Sequence, residues 1–279
     1  MTLSTIRNNP AKQKKVKTKK QKAIAATCAV AFWLLVWHVV SLCVGSELVL
    51  VSPVKVVQTL FTVIFDPDFL KTVWYSAARI LGGFFTALTL GTVLGWVASR
   101  FWVVETLLRP ITAAIKATPV ASFIILVLLW FSGKNLSVII SMLMVFPVIY
   151  MNVLEGIRSA DEKLLEMAQV FRLSVGKKLL YIYLPAVAPF FVSACSVSLG
   201  LCWKSGIAAE VIGTPDGSIG AVFYQAKIFL QTSELLAWTV VVVAVSVAFE
   251  KLFMFLLRLV LKKLKMEDVL NGKLSLIHI

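Results

Sequence analysis

Three charged residues, Arg79, Lys204 and Glu210, stand in stretches that otherwise hold almost no charge. Ionised groups in such surroundings are costly to desolvate, so they are candidates for gating, for meeting a charged solute, or for locking two helices together. Glu210 could pair with Arg79 if their segments pack side by side. Lys204 and Glu210 cannot pair within one regular helix, because six residues turn through about 240°. No constellation for covalent chemistry is visible beside these charges. The four cysteines, Cys28, Cys43, Cys195 and Cys202, lack Cys-x-x-Cys spacing and read as small packing residues. With two histidines, His38 and His278, a histidine-based metal centre is not expected. No G-x-x-x-x-G-K-[ST] occurs, so any nucleotide chemistry has to come from a partner chain.

The elements that must position these charges are apolar helices. Of the 279 residues 59% are hydrophobic, the mean hydropathy is +0.89 and only 15% are charged, against about 45–50% apolar for a soluble domain. A soluble globule is excluded. Apolar runs at 23–44, 73–98, 107–131, 136–154, 186–207 and 235–257 predict an all-α membrane protein with six transmembrane helices. The third run is the least regular, since Pro110, Lys116 and Pro119 interrupt its beginning. The first run is longer than the apolar core of about 7–15 residues in a signal peptide, so it reads as an uncleaved span. The segment 1–22 is then a basic cytoplasmic tail, 23–262 the membrane domain and 263–279 a second tail. Its last six residues, 274–279, read LSLIHI, which looks like the translation of a DNA-library adapter, and they are left out of the fold reading.

Charge placement sets the expected direction of these spans. Eight of the 28 Lys and Arg fall in the first 22 residues, and 21 in all lie on the side of the amino terminus. Lys55, Lys71, Lys134 and Lys227 fall on the other side. The positive-inside rule then places both termini in the cytoplasm of a prokaryotic cell membrane. The net charge of +14 is explained by topology, so membrane lipid is an expected partner and nucleic acid is not. In the second span Gly83, Ala87, Gly91 and Gly95 recur every fourth residue and form a smooth stripe on which another helix can pack closely. Trp130, Phe131 and Trp203 read as interfacial anchors, and Thr214–Gly217 as a turn.

Between the fourth and fifth spans, at about 155–185, lies a segment too polar for the bilayer but apolar at helical spacing: Leu164, Leu165, Ala168, Phe171, then Val175, Leu179 and Ile182. It predicts two short amphipathic helices. Ser159 and Glu162 form a capping box for the first, Ser174 caps the second, and Pro185 opens the fifth span. Glu166-Met167-Ala168, followed by Leu184-Pro185-Ala186 with Glu and Pro nineteen positions apart, resembles the EAA loop of inner-membrane permeases of binding-protein-dependent ABC importers. The resemblance extends through Arg109-Pro110, Pro119, Leu129-Trp130-Phe131, Pro147 and Glu155-Gly156-Ile157-Arg158-Ser159, and beyond the loop through Trp203-Lys204, Ala208-Ala209-Glu210 and Gly220. It is most similar to the nitrate, sulfonate and taurine branch.

The resemblance implies a type I ABC importer permease fold and a homodimer enclosing one path. It also implies two ATP-binding subunits, which would carry ATP and Mg, and an extracytoplasmic solute-binding protein. No enzyme activity and no cofactor are then expected of this chain itself. Glu166, Met167, Ala168, Arg172, Gly176, Leu184 and Pro185 would belong to the coupling loop that docks on the ATPase. Two residues depart from the family pattern: Met167 replaces its second Ala, and Arg172 its usual Gly. Either Arg172 takes positive φ at a cost on the order of 1 kcal/mol, or the turn is made around Gly176. Sulfonate, taurine, nitrate and a heterocyclic vitamin precursor all fit as solutes. The alternative is a secondary transporter or channel working without ATP.

Overall fold

The computed structural model describes residues 19–264. Most of the basic tail at 1–22, and the tail at 263–279 from residue 265 on with its LSLIHI string, lie outside the described residues. The chain divides into two units at Lys55/Val56. In the first, α1 (Lys19–Val44) is long and apolar enough to cross a membrane. It ends where Gly45 takes φ +65 and donates its N–H to the Ser41 carbonyl, a left-handed stop that glycine makes without strain. Ser41 Oγ in turn donates to the Leu50 carbonyl at 3.0 Å.

The second unit takes in most of α2 (Pro53–Ile64) and then α3 (Phe69–Arg100), α4 (Trp102–Ala117), α5 (Val120–Trp130), α6 (Gly133–Arg158), α7 (Glu162–Val170), α8 (Val175–Lys178), α9 (Leu184–Gly213), α10 (Ile219–Ile228) and α11 (Thr232–Lys263). Over the described residues of the whole chain five helices are long and apolar enough to span a bilayer, and α4 with α5 would make a sixth. That pair is bent by 109°. The bend has a local cause: Thr118 precedes Pro119, whose ring pushes it out of the helical region to φ −83, ψ 133.

Helix α6 is the centre of the second unit and packs most extensively against α3 and α9. In a bilayer the hydrophobic effect does little to bring helices together, so close van der Waals contact has to, and small residues permit it. The stripe Gly83, Ala87, Gly91 and Gly95 is buried against α6. A Cβ at Gly83 would come within 2.8 Å of the Ser141 Cβ; at Gly91 and Gly95 it would come within 3.0 Å of Ile149 and Val153. Phe84, Ile80, Ile149, Cys195, Leu199 and Trp203 close the core around this seam. Trp203 is only 3% exposed, so it is a core residue and not the expected interfacial anchor, whereas Trp130 is 76% exposed. The difference follows from helix face: Trp203 lies beside Cys202, on the side of α9 turned to α3 and α6.

Candidate functional site

Two arrangements hold the residues singled out in the sequence. The first is buried at the α3, α9 and α10 contact. Glu210, near the end of α9, is 0% exposed, and its Oε2 accepts from Ser76 Oγ at 2.6 Å and from the Gly220 N–H at 3.3 Å. Ser76 Oγ accepts in turn from the Ile219 N–H at 2.9 Å, and Ser218 Oγ caps Ala221 at 3.0 Å. The opening N–H groups of α10, which no helical carbonyl can reach, are thus taken by side chains of α3 and α9. Gly220 must be glycine here, because a Cβ would run into Glu210 and the backbone of Val211.

Arg79 borders the same cluster. Its Nη1 donates to Tyr75 Oη at 2.9 Å and its Nε to Ser137 Oγ at 3.4 Å, with the guanidinium 4.9 Å from the Tyr75 ring centre. Ser137, buried on α6, borders Glu210 as well. The expected pairing of Arg79 with Glu210 is not a direct ion pair; Glu210 Oε1 and Arg79 Nη2 are both buried and have no hydrogen-bond partner among the described residues. The reason is competition: the Ser76 hydroxyl and the Gly220 N–H, fixed by the helix positions, claim the carboxylate. Lys204 is exposed and stands apart. Sequence reasoning missed Ser76, although a hydroxyl three residues before Arg79 on the same helix face was a usable signal.

The second arrangement is the loop between α6 and α9. Ser159 ends α6, with φ −77, ψ 0 and its hydroxyl donating to the Gly156 carbonyl, so it does not form the expected capping box with Glu162. Asp161 takes the cap, in extended conformation with Oδ1 accepting from the Lys163 N–H at 2.9 Å. Ser174 stands at the N-cap of α8 in extended conformation, but its side chain makes no capping bond. Arg172 takes positive φ, 49°, which settles the turn: Gly176 lies inside α8 and is not the pivot. The Leu173 N–H reaches the Ala168 carbonyl at 2.9 Å and the Arg172 N–H reaches Gln169 at 3.0 Å. This is the double bond pattern of a helix ended by a left-handed residue, with Leu173 packing near Ala168 as that pattern requires. The second short helix does not stop before Pro185. It runs through α8 and a π turn at Leu179–Tyr183 into α9, the Leu184 N–H bonding back to the Leu179 carbonyl. Pro185, lacking an N–H, sits in the first turn of α9 at the point where the winding changes.

The loop has two faces. Ala168, 0% exposed, joins Leu165, Leu173 and Ile182 in a small core at the base of α9. Phe171, Val175 and Leu179, apolar at the same helical spacing, are exposed at 72%, 81% and 46%. With Leu164 and Met167 they leave an apolar surface open around exposed Glu166.

Known proteins share this architecture. Residues 87–266 match the family described as binding-protein-dependent transport system inner membrane component. A Bacillus subtilis (strain 168) protein named for aliphatic sulfonate transport, SsuC, is 29% identical over 76% of this chain and 78% of its own. The Escherichia coli (strain K12) taurine transport system permease TauC is 27% identical over 77% of this chain and 80% of its own. The nitrate import permease NrtB of Synechocystis is 25% identical over 73% and 76%. A crystal structure of an amino acid ABC transporter with histidines aligns over 70% of this chain and 96% of its own, at 16% identity and a TM-score of 0.50, a likeness of fold alone. The chain belongs to the inner-membrane permeases of binding-protein-dependent ABC importers, in the branch of the sulfonate, taurine and nitrate permeases.

Proposed function

We propose that two copies of this chain enclose a path for a small oxyanion of the sulfonate, taurine or nitrate kind. An ATP-binding subunit engages α7 of each copy, and an extracytoplasmic binding protein delivers the solute to the opposite face. The observation that carries this reading is the two-faced loop. Ala168 and Leu165 anchor α7 to the base of α9, while Leu164, Met167, Val170 and Phe171 remain exposed on the opposite side of the loop. A rigid lever with one face fixed and one free can carry the movement of a docked subunit into a spanning helix. ATP and its magnesium ion would be held by that subunit, and hydrolysis would occur there. The excess of basic residues on the side of the loop supports a cytoplasmic location for it and for both termini. The Ser76–Glu210–α10 cluster then lies toward the outer face. There it holds α10 against α3 and α9, and Arg79 offers a positive charge beside it. The homologues named for sulfonate, taurine and nitrate support an anionic solute.

The test is to purify the tagged chain in mild detergent and identify every co-purifying protein by mass spectrometry. A P-loop ATPase in about equal amount is expected, and the ligand of an accompanying binding protein would name the solute. Recovery of this chain alone, with uptake that survives ATP depletion, would overturn the reading.

A further inference from the structure

A cavity of about 300 Å³ opens between α4 and the last turns of α6, at the lower end of the range for small-molecule sites. Its charged wall has an unequal division of labour. Arg158 is tied to Glu105 in an ion pair. Arg109 and Glu155 line the same cavity, yet neither forms a side-chain hydrogen bond or ion pair among the described residues. Tyr150, 3% exposed, closes the inner wall, and its buried hydroxyl has no partner among the described residues. One free cation, one free carboxylate and one orphaned hydroxyl therefore surround a single space.

The sequence of α4 explains how the space arises. Glu105, Arg109, Thr112 and Lys116 recur at helical spacing and form one polar face. Three of the four reach the cavity, while the apolar ridge Val103, Leu107 and Ile111 is exposed at 57%, 64% and 51%. Trp102, 74% exposed, stands at the start of the same helix, the type of residue that marks the boundary of water and hydrocarbon.

We infer that this cavity binds a zwitterion of phosphoethanolamine chemistry, its oxyanion on Arg109 and the Tyr150 hydroxyl and its ammonium on Glu155. A guanidinium and a phenol both donate to an oxyanion. A primary ammonium can donate to Glu155, whereas a trimethylammonium cannot. The same chemistry has two sources, the headgroup of phosphatidylethanolamine with its tails along the α4 ridge, or a free molecule of that type. The assignment does not depend on the coupling reading.

The experiment uses the full chain with its co-purifying subunits. It is exposed to equal amounts of phosphatidylethanolamine, phosphatidylcholine and phosphatidylglycerol of one acyl composition, with bound lipid read by native mass spectrometry and free phosphoethanolamine as soluble competitor. Phosphatidylethanolamine should be retained about tenfold over the other two. Arg109→Gln or Glu155→Gln should erase that preference, Tyr150→Phe should weaken it several-fold, and the exposed Lys204→Gln should leave it unchanged. The melting temperature of each variant separates loss of the site from loss of the fold. Preference that persists against the soluble competitor identifies the lipid as the source. Binding of free phosphoethanolamine without lipid discrimination identifies a soluble ligand. Equal retention of all three lipids with no binding of phosphoethanolamine overturns the inference, as does a preference that folded Arg109→Gln and Glu155→Gln variants keep.

Discussion

The α3–α6–α9 seam and the α7 loop use opposite solutions to the same problem. Where the seam meets α10, polar groups are hidden, and the Ser76 hydroxyl, Glu210 Oε2 and the first N–H groups of α10 bond to one another, with Glu210 Oε1 left without a partner among the described residues. In the loop, apolar groups are exposed, and nothing in the described residues answers Phe171, Val170 or Val175. A region that closes on itself resists change. One that stays open is available to a partner, and on the proposed reading the difference separates the part of this permease that holds shape from the part that receives a signal.

The largest effect is expected where the seam is tightest. Gly83→Leu places a branched side chain against Ser141 and the backbone of α6 and should cost about 3 kcal/mol or more, read as loss of a monodisperse peak on size-exclusion chromatography. If the variant stays monodisperse with an unchanged melting temperature, the seam is softer than its contacts indicate. Next comes Glu210→Ala, which strands the Ser76 hydroxyl and the Gly220 N–H and should destabilise by about 2 kcal/mol. Limited proteolysis should then cut near α10 sooner than in the wild type, and an unaltered cleavage pattern would remove the clamp from the account.

The open region should respond differently. Met167→Asp should leave thermal stability within about 0.5 kcal/mol, as exposed changes do, while lowering recovery of the ATP-binding subunit several-fold in a pull-down. Equal loss of stability and of recovery would mean the face is part of the fold. The smallest effect is a gain. Arg172→Gly relieves the φ of 49° and should stabilise the loop by about 1 kcal/mol, measured as slower amide exchange at Leu173, whose N–H bonds Ala168. Faster exchange would show that the arginine side chain outweighs the strain.

The spans were legible because apolar run length is an average over many residues, insensitive to any single contact. The broken third span was legible from Pro119 for a local reason: its ring acts on the preceding residue whatever the surroundings. The small-residue stripe was legible as a packing face, but its partner was not, since any of five helices could have filled it. Details that depend on competition between neighbours were hidden. The spacing predicts Ser159 as the cap of α7, but it ends α6, and Asp161, extended and two residues on, accepts the bond instead. Arg79 and Ser76 both offered a donor near Glu210, and only Ser76 makes the bond. Which face of the loop stays open was not legible, because the left-handed turn at Arg172 redirects the chain between Phe171 and Val175.

The central claim is that α7 receives an ATP-binding subunit through a face that the fold does not need. It is tested most directly by Glu166→Arg, with the membrane-inserted permease and the co-purifying P-loop ATPase quantified from the same preparation. The account predicts an unchanged amount of inserted permease and a roughly tenfold fall in ATPase recovered per permease, about 1.4 kcal/mol of docking free energy. Undiminished ATPase recovery together with undiminished uptake would contradict it.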